Sequence, residues 1–312
     1  MDNLTAYTKT LRKAVIDESL NAMGLSKTRL VRRLISSLLY LPANRFAHLI
    51  VRYDLQVGEH GFRAATRSFL QDFSLNCETR GKEHLPAEGP LLIASNHPGT
   101  FDGIVIPASL PRDDLKIVLS GVPFTHSLKA TRDHLIYTTH DTHQRMTVIK
   151  SIIRHLQAGG SLLIFPSGRL DPDPAFRVDA EKALERWHAS LAVILRRVPE
   201  TQLVLTVASG MLSAKWQQNP LPKLLRKGWE RQKLAEFFQT MQQLMFPGSI
   251  TLYPKVTFAP PIRADELASQ REGRMPAILD SAAQLLKEHQ SWLEQVNRGD
   301  IDWPSKQQLN TR

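Results

Sequence analysis

Apolar positions recur at helical spacing through the first 75 residues. Leu30, Leu34, Leu38 and Leu41 form a stripe, widened by Val31, Ile35 and Leu39, with Arg29, Arg32 and Arg33 on the other side. Pro42 is expected to end or kink this helix, after which Phe46, Leu49, Ile50 and Tyr53 continue an apolar face. A further helix is predicted over Phe62–Phe73, and no strand-like run precedes residue 75. Beyond residue 75 short apolar runs alternate with helical stretches. The predicted strands are Leu91–Ser95, Leu115–Ser120, His134–Thr139, Ser161–Phe165, Leu203–Ala208 and Ile250–Phe258, and the predicted helices are 143–158, 177–197 and 221–245. That alternation predicts an α/β fold: a mainly parallel sheet flanked by helices, preceded by an N-terminal helical region. The expected organisation is a helical region over 1–75, an α/β domain over 76–300 and a polar, fraying tail over 301–312. In such a sheet, catalytic groups sit where strands end and helices begin.

Composition narrows the function. Hydrophobic residues make up 42% and charged residues 22% of the 312, the profile of a chain with a substantial core. The net charge of +10 calls for an anionic partner: nucleic acid, an anionic membrane, or phosphorylated and carrier-bound substrates. No helix-turn-helix, zinc or single-strand-binding signature is present, so nucleic acid is set aside. Cys77 is the one cysteine; it excludes a disulfide within the chain and fits a reducing compartment, the cytoplasm. The opening MDNLTAYTKTLRKAV has no apolar stretch suited to a secretory signal. No run of about 20 apolar residues suggests a spanning helix. Any membrane contact is therefore expected to be peripheral, on the inner face of a membrane. The basic segment Pro220–Phe246, with Lys223, Arg226, Lys227, Arg231 and Lys233 beside Trp229, Phe237, Phe238, Met245 and Phe246, reads either as an interfacial helix or as a surface helix with its apolar face on the core.

Two segments carry candidate chemistry. Residues 91–102 read LLIASNHPGTFD. A buried strand runs into Asn96 and His97, and Pro98-Gly99 then bends the chain so that Asp102 folds back toward His97. A carboxylate on one ring nitrogen fixes the tautomer and leaves the other as a base. The plainer alternative is a hydrogen-bonded histidine at a strand end followed by a helix-capping aspartate. Residues 161–174 read SLLIFPSGRLDPDP. Here Gly168 would let the backbone approach a ligand, Ser167 and the loop N–H groups would donate to an oxyanion or phosphate, and Arg169 would pair with phosphate. An ordinary strand-to-helix loop explains the same residues. No glycine stands two before Ser167, so this is not a hydrolase nucleophile elbow. His140, Asp141 and His143 lack a recognisable ligand motif and read as loop residues; no metal site is expected.

Together and in this order, the two segments resemble the glycerolipid (glycerol-3-phosphate or 1-acylglycerol-3-phosphate) acyltransferase family. Its Asn-His-x4-Asp box is matched by Asn96, His97 and Asp102, and its strand ending in Phe-Pro-Glu-Gly by Phe165-Pro166-Ser167-Gly168. The resemblance runs from about residue 75 to 262. It takes in Arg80-Gly81, Leu85-Pro86 and Gly89-Pro90 before the box and the late strand Lys255–Ile262. Ser167 stands where the usual member has glutamate; the loop is similar to that of soluble plastid-type glycerol-3-phosphate acyltransferases. The resemblance implies transfer of a fatty acyl group from an acyl-CoA or acyl carrier protein thioester to the hydroxyl of glycerol 3-phosphate in phospholipid biosynthesis, with no cofactor. His97 would be the general base and Asp102 its orienting partner, with no acyl-enzyme. Backbone N–H groups after Pro98 or at Gly168 would form the oxyanion hole. Arg132 and Arg145 resemble the family's phosphate-contacting positions and, with Arg169, would hold the acceptor. The alternatives are a lysophosphatidate or other lysophospholipid acyltransferase and, in another class, a catalytically silent lipid-binding scaffold. The Ser167 departure favours the scaffold, while the intact His97 and Asp102 oppose it.

Overall fold

The computed structural model describes residues 2–22, 29–119, 122–138, 142–177, 179–225, 228–269 and 273–298. The predicted tail, 301–312, lies outside them.

Three helices come first: α1 (Asp2–Ala22), α2 (Arg29–His60) and α3 (Phe62–Asp72). Pro42 lies inside α2 without ending it. Of the predicted apolar stripe, Leu34 is 66% and Leu38 70% exposed, and Leu41 is exposed as well. The buried side of α2 carries Leu39, Ala43, Ala47, Ile50, Val51 and Val57 instead. Residues 32–60 are also long and apolar enough to cross a membrane by length and composition, which corrects the expectation that no segment qualifies. In this structure, however, α2 packs along the protein. Its Asp54 accepts from the N–H groups of Lys129, Ala130 and Thr131 at 2.9, 3.1 and 2.8 Å, and from the Tyr7 hydroxyl at 2.7 Å. Buried carboxylates satisfied in this way hold helix and loop together.

The strands are β1 (Glu78–Arg80), β2 (Leu91–Ser95), β3 (Lys116–Leu119), β4 (Leu135–Tyr137), β5 (Ser161–Ile164), β6 (Gln202–Ser209), β7 (Lys255–Phe258) and β8 (Ile262–Arg263). They form one sheet in the order β1-β7-β6-β2-β5-β3-β4, with β8 also on β6. Five of the seven strand pairings are parallel; only β7 and β8 run antiparallel to β6. The sheet is therefore mainly parallel, as the alternation predicts.

Period-two alternation splits the core into two layers. Leu91, Ile93, Leu163, Val204 and Ala208 face a cluster with α1–α3 and α4 (Asp102–Ser109). Leu92, Ala94, Leu162, Leu203, Leu205 and Val207 face a second cluster with α5 (Thr142–Gln157), α6 (Ser190–Arg197) and α10 (Arg274–Arg298). Between these last two lie α7 (Ala214–Gln218), α8 (Pro220–Leu225) and α9 (Gly228–Met245). Every residue of β2 is buried, as expected of a central strand covered on both faces. The predicted helix 177–197 is divided into a 3-10 turn over Ala180–Arg186 and α6, because the chain goes extended at Trp187. The stretch 221–245 is likewise divided into α8 and α9.

One consequence of the topology positions the site. The helix after β2 lies on the first face and the segment after the neighbouring β5 on the second. The carboxyl ends of β2 and β5 are thus the switch point at which sheets of this kind form a crevice, between loops that leave in opposite directions.

Candidate active site

His97 and the Ser167 loop face each other across that crevice. His97 Nδ1 lies 2.8 Å from Asp102 Oδ2, and the Asp102 side chain is fully buried while that of His97 is 27% exposed. The Pro98-Gly99 bend makes this possible: the Gly99 N–H donates to the same carboxylate oxygen at 3.2 Å. A β-carbon on Gly99 would fall 2.6 Å from the Met211 Cβ, so only glycine fits the bend. The His97 ring stacks on Phe165 at 4.4 Å between centroids. Among the described residues His97 Nε2 has no hydrogen-bond partner, which leaves it open as a base. Asn96 acts as framework. Its amide accepts from the Ala208 N–H at 2.8 Å and donates to the Ala208 carbonyl at 2.9 Å, extending the pairing of β2 with β6.

The second loop grips the first. Asp171 Oδ2 accepts from the His97 N–H at 3.0 Å, the Asp171 N–H donates to the His97 carbonyl at 2.7 Å, and Arg186 holds Asp171 Oδ1 at 3.0 Å. Ser167 Oγ lies 2.8 Å from the Arg169 carbonyl and 3.0 Å from Asp171 Oδ2. In this structure its hydroxyl is engaged within the loop. Asp173 accepts from the N–H groups of Gly210 and Met211. Gly168 has a positive φ of 65°, and a β-carbon added there would meet nothing within 4 Å, so turn geometry and not close approach requires glycine. Arg169 is exposed and, among the described residues, unpaired at the mouth of the crevice.

The proposed oxyanion donors are already engaged. The Gly99 N–H is on Asp102, the Thr100 N–H on Glu236 Oε2 at 3.0 Å and the Gly168 N–H on the Phe165 carbonyl at 3.0 Å. Arg132 stands apart from His97. It precedes β4, at the amino-terminal edge of the sheet, whereas His97 follows β2 at the carboxyl edge; Leu135 is level with Ile117, Leu163 and Ile93. The Asp54 network fixes the chain just before Arg132 against α2, and the Arg132 side chain is 63% exposed beside Asp133. The structure therefore does not bring Arg132 to His97. Arg145 lies in the first turn of α5, which starts from the carboxyl end of β4 on the side of His97; its side chain, like that of His143, is outside the described residues, as are His140 and Asp141.

The predicted helix 221–245 includes α9, but the sequence pattern does not show that its polar face reaches the site. Gln232, Glu236, Gln239 and Gln243 form one polar stripe on its inner face. Gln232 donates to the carbonyls of Pro98 at 2.5 Å and Asp171 at 3.2 Å. Gln239 holds the Ser213 N–H and the Met211 carbonyl, and Gln243 the Phe73 carbonyl. Polar residues buried at a regular i, i+4, i+7, i+11 spacing are a readable signal once the helix is known.

The electrostatics suit a base that collects a proton. Burial pushes the His97 pKa down, but Asp102, with Glu236 and Asp171 behind it, more than offsets this, and the net shift is upward. Burial raises Asp173 to about 6 and Glu236 to about 7.

Residues 76–216 match the family model described as Acyltransferase. A stretch of 104 residues, 32% of this chain, is 31% identical to the lysophospholipid acyltransferase LPCAT4 of Mus musculus; the matched stretch spans 20% of that protein's length. The 1-acyl-sn-glycerophosphate (LPA) acyltransferase PlsC of Thermotoga maritima superposes with a TM-score of 0.44 at 13% identity, over 91% of this chain and 94% of that one, too low a score to add to the case. The family match covers both loops of the crevice, so the part of the chain that carries His97, Asp102 and the Ser167 loop is the part that is similar to acyltransferases.

Proposed function

We propose that this protein transfers a fatty acyl group from a thioester, acyl-CoA or acyl carrier protein, to the hydroxyl of glycerol 3-phosphate. The observation that carries the reading is the His97–Asp102 pair: a ring nitrogen 2.8 Å from a buried carboxylate, with the other nitrogen open to the crevice. His97 Nε2 takes the proton of the acceptor hydroxyl as its oxygen attacks the thioester carbonyl. Collapse of the tetrahedral intermediate expels the thiolate, which takes the proton from His97. Asp102 fixes the tautomer and stabilises the imidazolium between the two steps; such base catalysis contributes roughly 10²–10⁴ in rate. Arg169 at the crevice mouth, with Arg145 from α5, suits an acceptor phosphate.

A second reading, a lysophospholipid as acceptor, draws on the mouse relative and on the exposed Leu34, Leu38 and Leu41 of α2. That face suits peripheral contact with an anionic membrane, and Arg45 binds it to the end of α9 by donating to the carbonyls of Leu244 and Met245 at 2.8 Å. The test is a matrix of radiolabelled glycerol 3-phosphate and lysophosphatidate against acyl-CoA and acyl carrier protein. Faster turnover of glycerol 3-phosphate supports the first reading; exclusive use of lysophosphatidate replaces it with the second; no product in any arm favours the silent scaffold.

A further inference from the structure

Glu236 stands outside both loop segments and outside the stretch that matches the family model, yet it is built into the site. Its side chain is 5% exposed. Oε2 accepts from the Thr100 N–H at 3.0 Å and from the Thr100 hydroxyl at 2.8 Å, and Gln232, one turn earlier on α9, lies 3.4 Å from Oε1. Thr100 sits midway between His97 and Asp102, in the bend that must return Asp102 to the imidazole. Gly99, the residue before it, lies so close to α9 that an added β-carbon would come within 3.2 Å of Glu236 Oε1. Two donors on one buried carboxylate oxygen is a costly arrangement to leave in place merely to fill space, because burying a carboxylate is unfavourable unless its bonds repay it. Gln239 or Gln243 shows that a neutral amide meets the needs of a backbone tie elsewhere on the same helix face.

We propose that Glu236 is a positioning residue of the acyl-transfer site, acting on His97 through Thr100. It fixes the bend at the point where the chain turns from the imidazole to its carboxylate. This rests on His97 being the general base. Glu236 touches no reacting atom, and its contribution is to kcat rather than to substrate binding.

The test uses the full-length chain with Glu236→Gln, Thr100→Val, the double variant and His97→Ala, in the acyl-transfer assay with the acceptor and donor that the unaltered protein uses. Glutamine keeps the shape, so E236Q is the variant expected to fold; thermal unfolding checks each protein. The expected result is a loss of kcat of about tenfold in E236Q, the equivalent of one charge-assisted hydrogen bond at the lower end of its range, with KM values little changed. T100V/E236Q should be no slower than the worse single variant, since both remove one link. A folded E236Q with unaltered kcat overturns the proposal. So does a change confined to KM, or losses that multiply in the double variant. An active H97A overturns the general-base reading and this proposal with it, whereas an inert H97A beside an unaffected E236Q overturns the proposal alone.

Discussion

Asp171 holds His97 by its backbone on both sides: the carboxylate takes the His97 N–H at 3.0 Å, and the Asp171 N–H reaches the His97 carbonyl at 2.7 Å. The two loops of the crevice are thus one unit, and the imidazole is aimed by a residue from the other loop. Asp171→Asn should lower kcat by about tenfold, since a bond to a charged group contributes roughly 1.5–3 kcal/mol. It should also lower the melting temperature by several degrees, because Arg186 loses its partner. Steady-state kinetics and thermal unfolding check this; unchanged kcat with a lowered melting temperature would make Asp171 purely structural.

The pH dependence follows from the sign of the His97 shift. A raised pKa means that the base is protonated at pH values where an ordinary histidine is already neutral. The kcat/KM profile should therefore fall on the acid side with a midpoint above 6.5, the ordinary histidine value. The stability that protonated His97 contributes is present below the ordinary histidine pKa and lost as pH rises through the folded value. A limb centred at or below the ordinary value would mean that burial outweighs the surrounding carboxylates.

Acceptor binding separates the arginines. Arg169→Ala and Arg145→Ala should raise KM for the phosphorylated acceptor about ten- to a hundredfold, the loss of a charge-assisted bond to phosphate. Arg132→Ala should leave it unchanged, because Arg132 lies at the other edge of the sheet. A raised KM in R132A would contradict the placement of β4.

Much of this was legible in the chain. The run LLIAS is buried at every position and marks a central strand; its two faces separate at single-residue spacing, so sheet and flanking helices follow from the pattern. His97 and Asp102 were legible because Pro98-Gly99 permits the return of the chain over so short a span. What the pattern misplaces has a physical cause. Leu34, Leu38 and Leu41 form an apolar stripe, and nothing local says which side of α2 meets the protein. Arg132 lies just before β4, but the strand's direction, set by pairing with β3, decides which edge it reaches. Glu236 and Gln232 act on loops far away in sequence, and tertiary partners at that separation leave no local signature. α10 carries Ile278, Ala282, Leu285, Leu286, His289 and Trp292 on its buried side, a helical stripe that the strand-centred reading passed over.

Membrane contact can be tested on the exposed face of α2. The protein should bind anionic vesicles reversibly and less at high salt, since attraction between exposed charges is screened beyond about 8 Å at physiological ionic strength. Replacing Leu34, Leu38 and Leu41 with serine should weaken vesicle partitioning at least about tenfold, as each buried leucine contributes roughly 1.5–3 kcal/mol. The fold should be unaffected, because all three side chains are exposed. Equal sedimentation of the triple variant and the unaltered protein with vesicles would remove α2 from the contact.

The central claim is that His97 is the base of an acyl-transfer reaction. Its most direct measurement is single-turnover acyl transfer from acyl-CoA to radiolabelled glycerol 3-phosphate by the purified protein and by His97→Ala, each shown to be folded by thermal unfolding. The unaltered protein should form an acylated glycerol phosphate product, and H97A should form it at a rate at least about 10² lower. A folded H97A that forms product at the unaltered rate would contradict it.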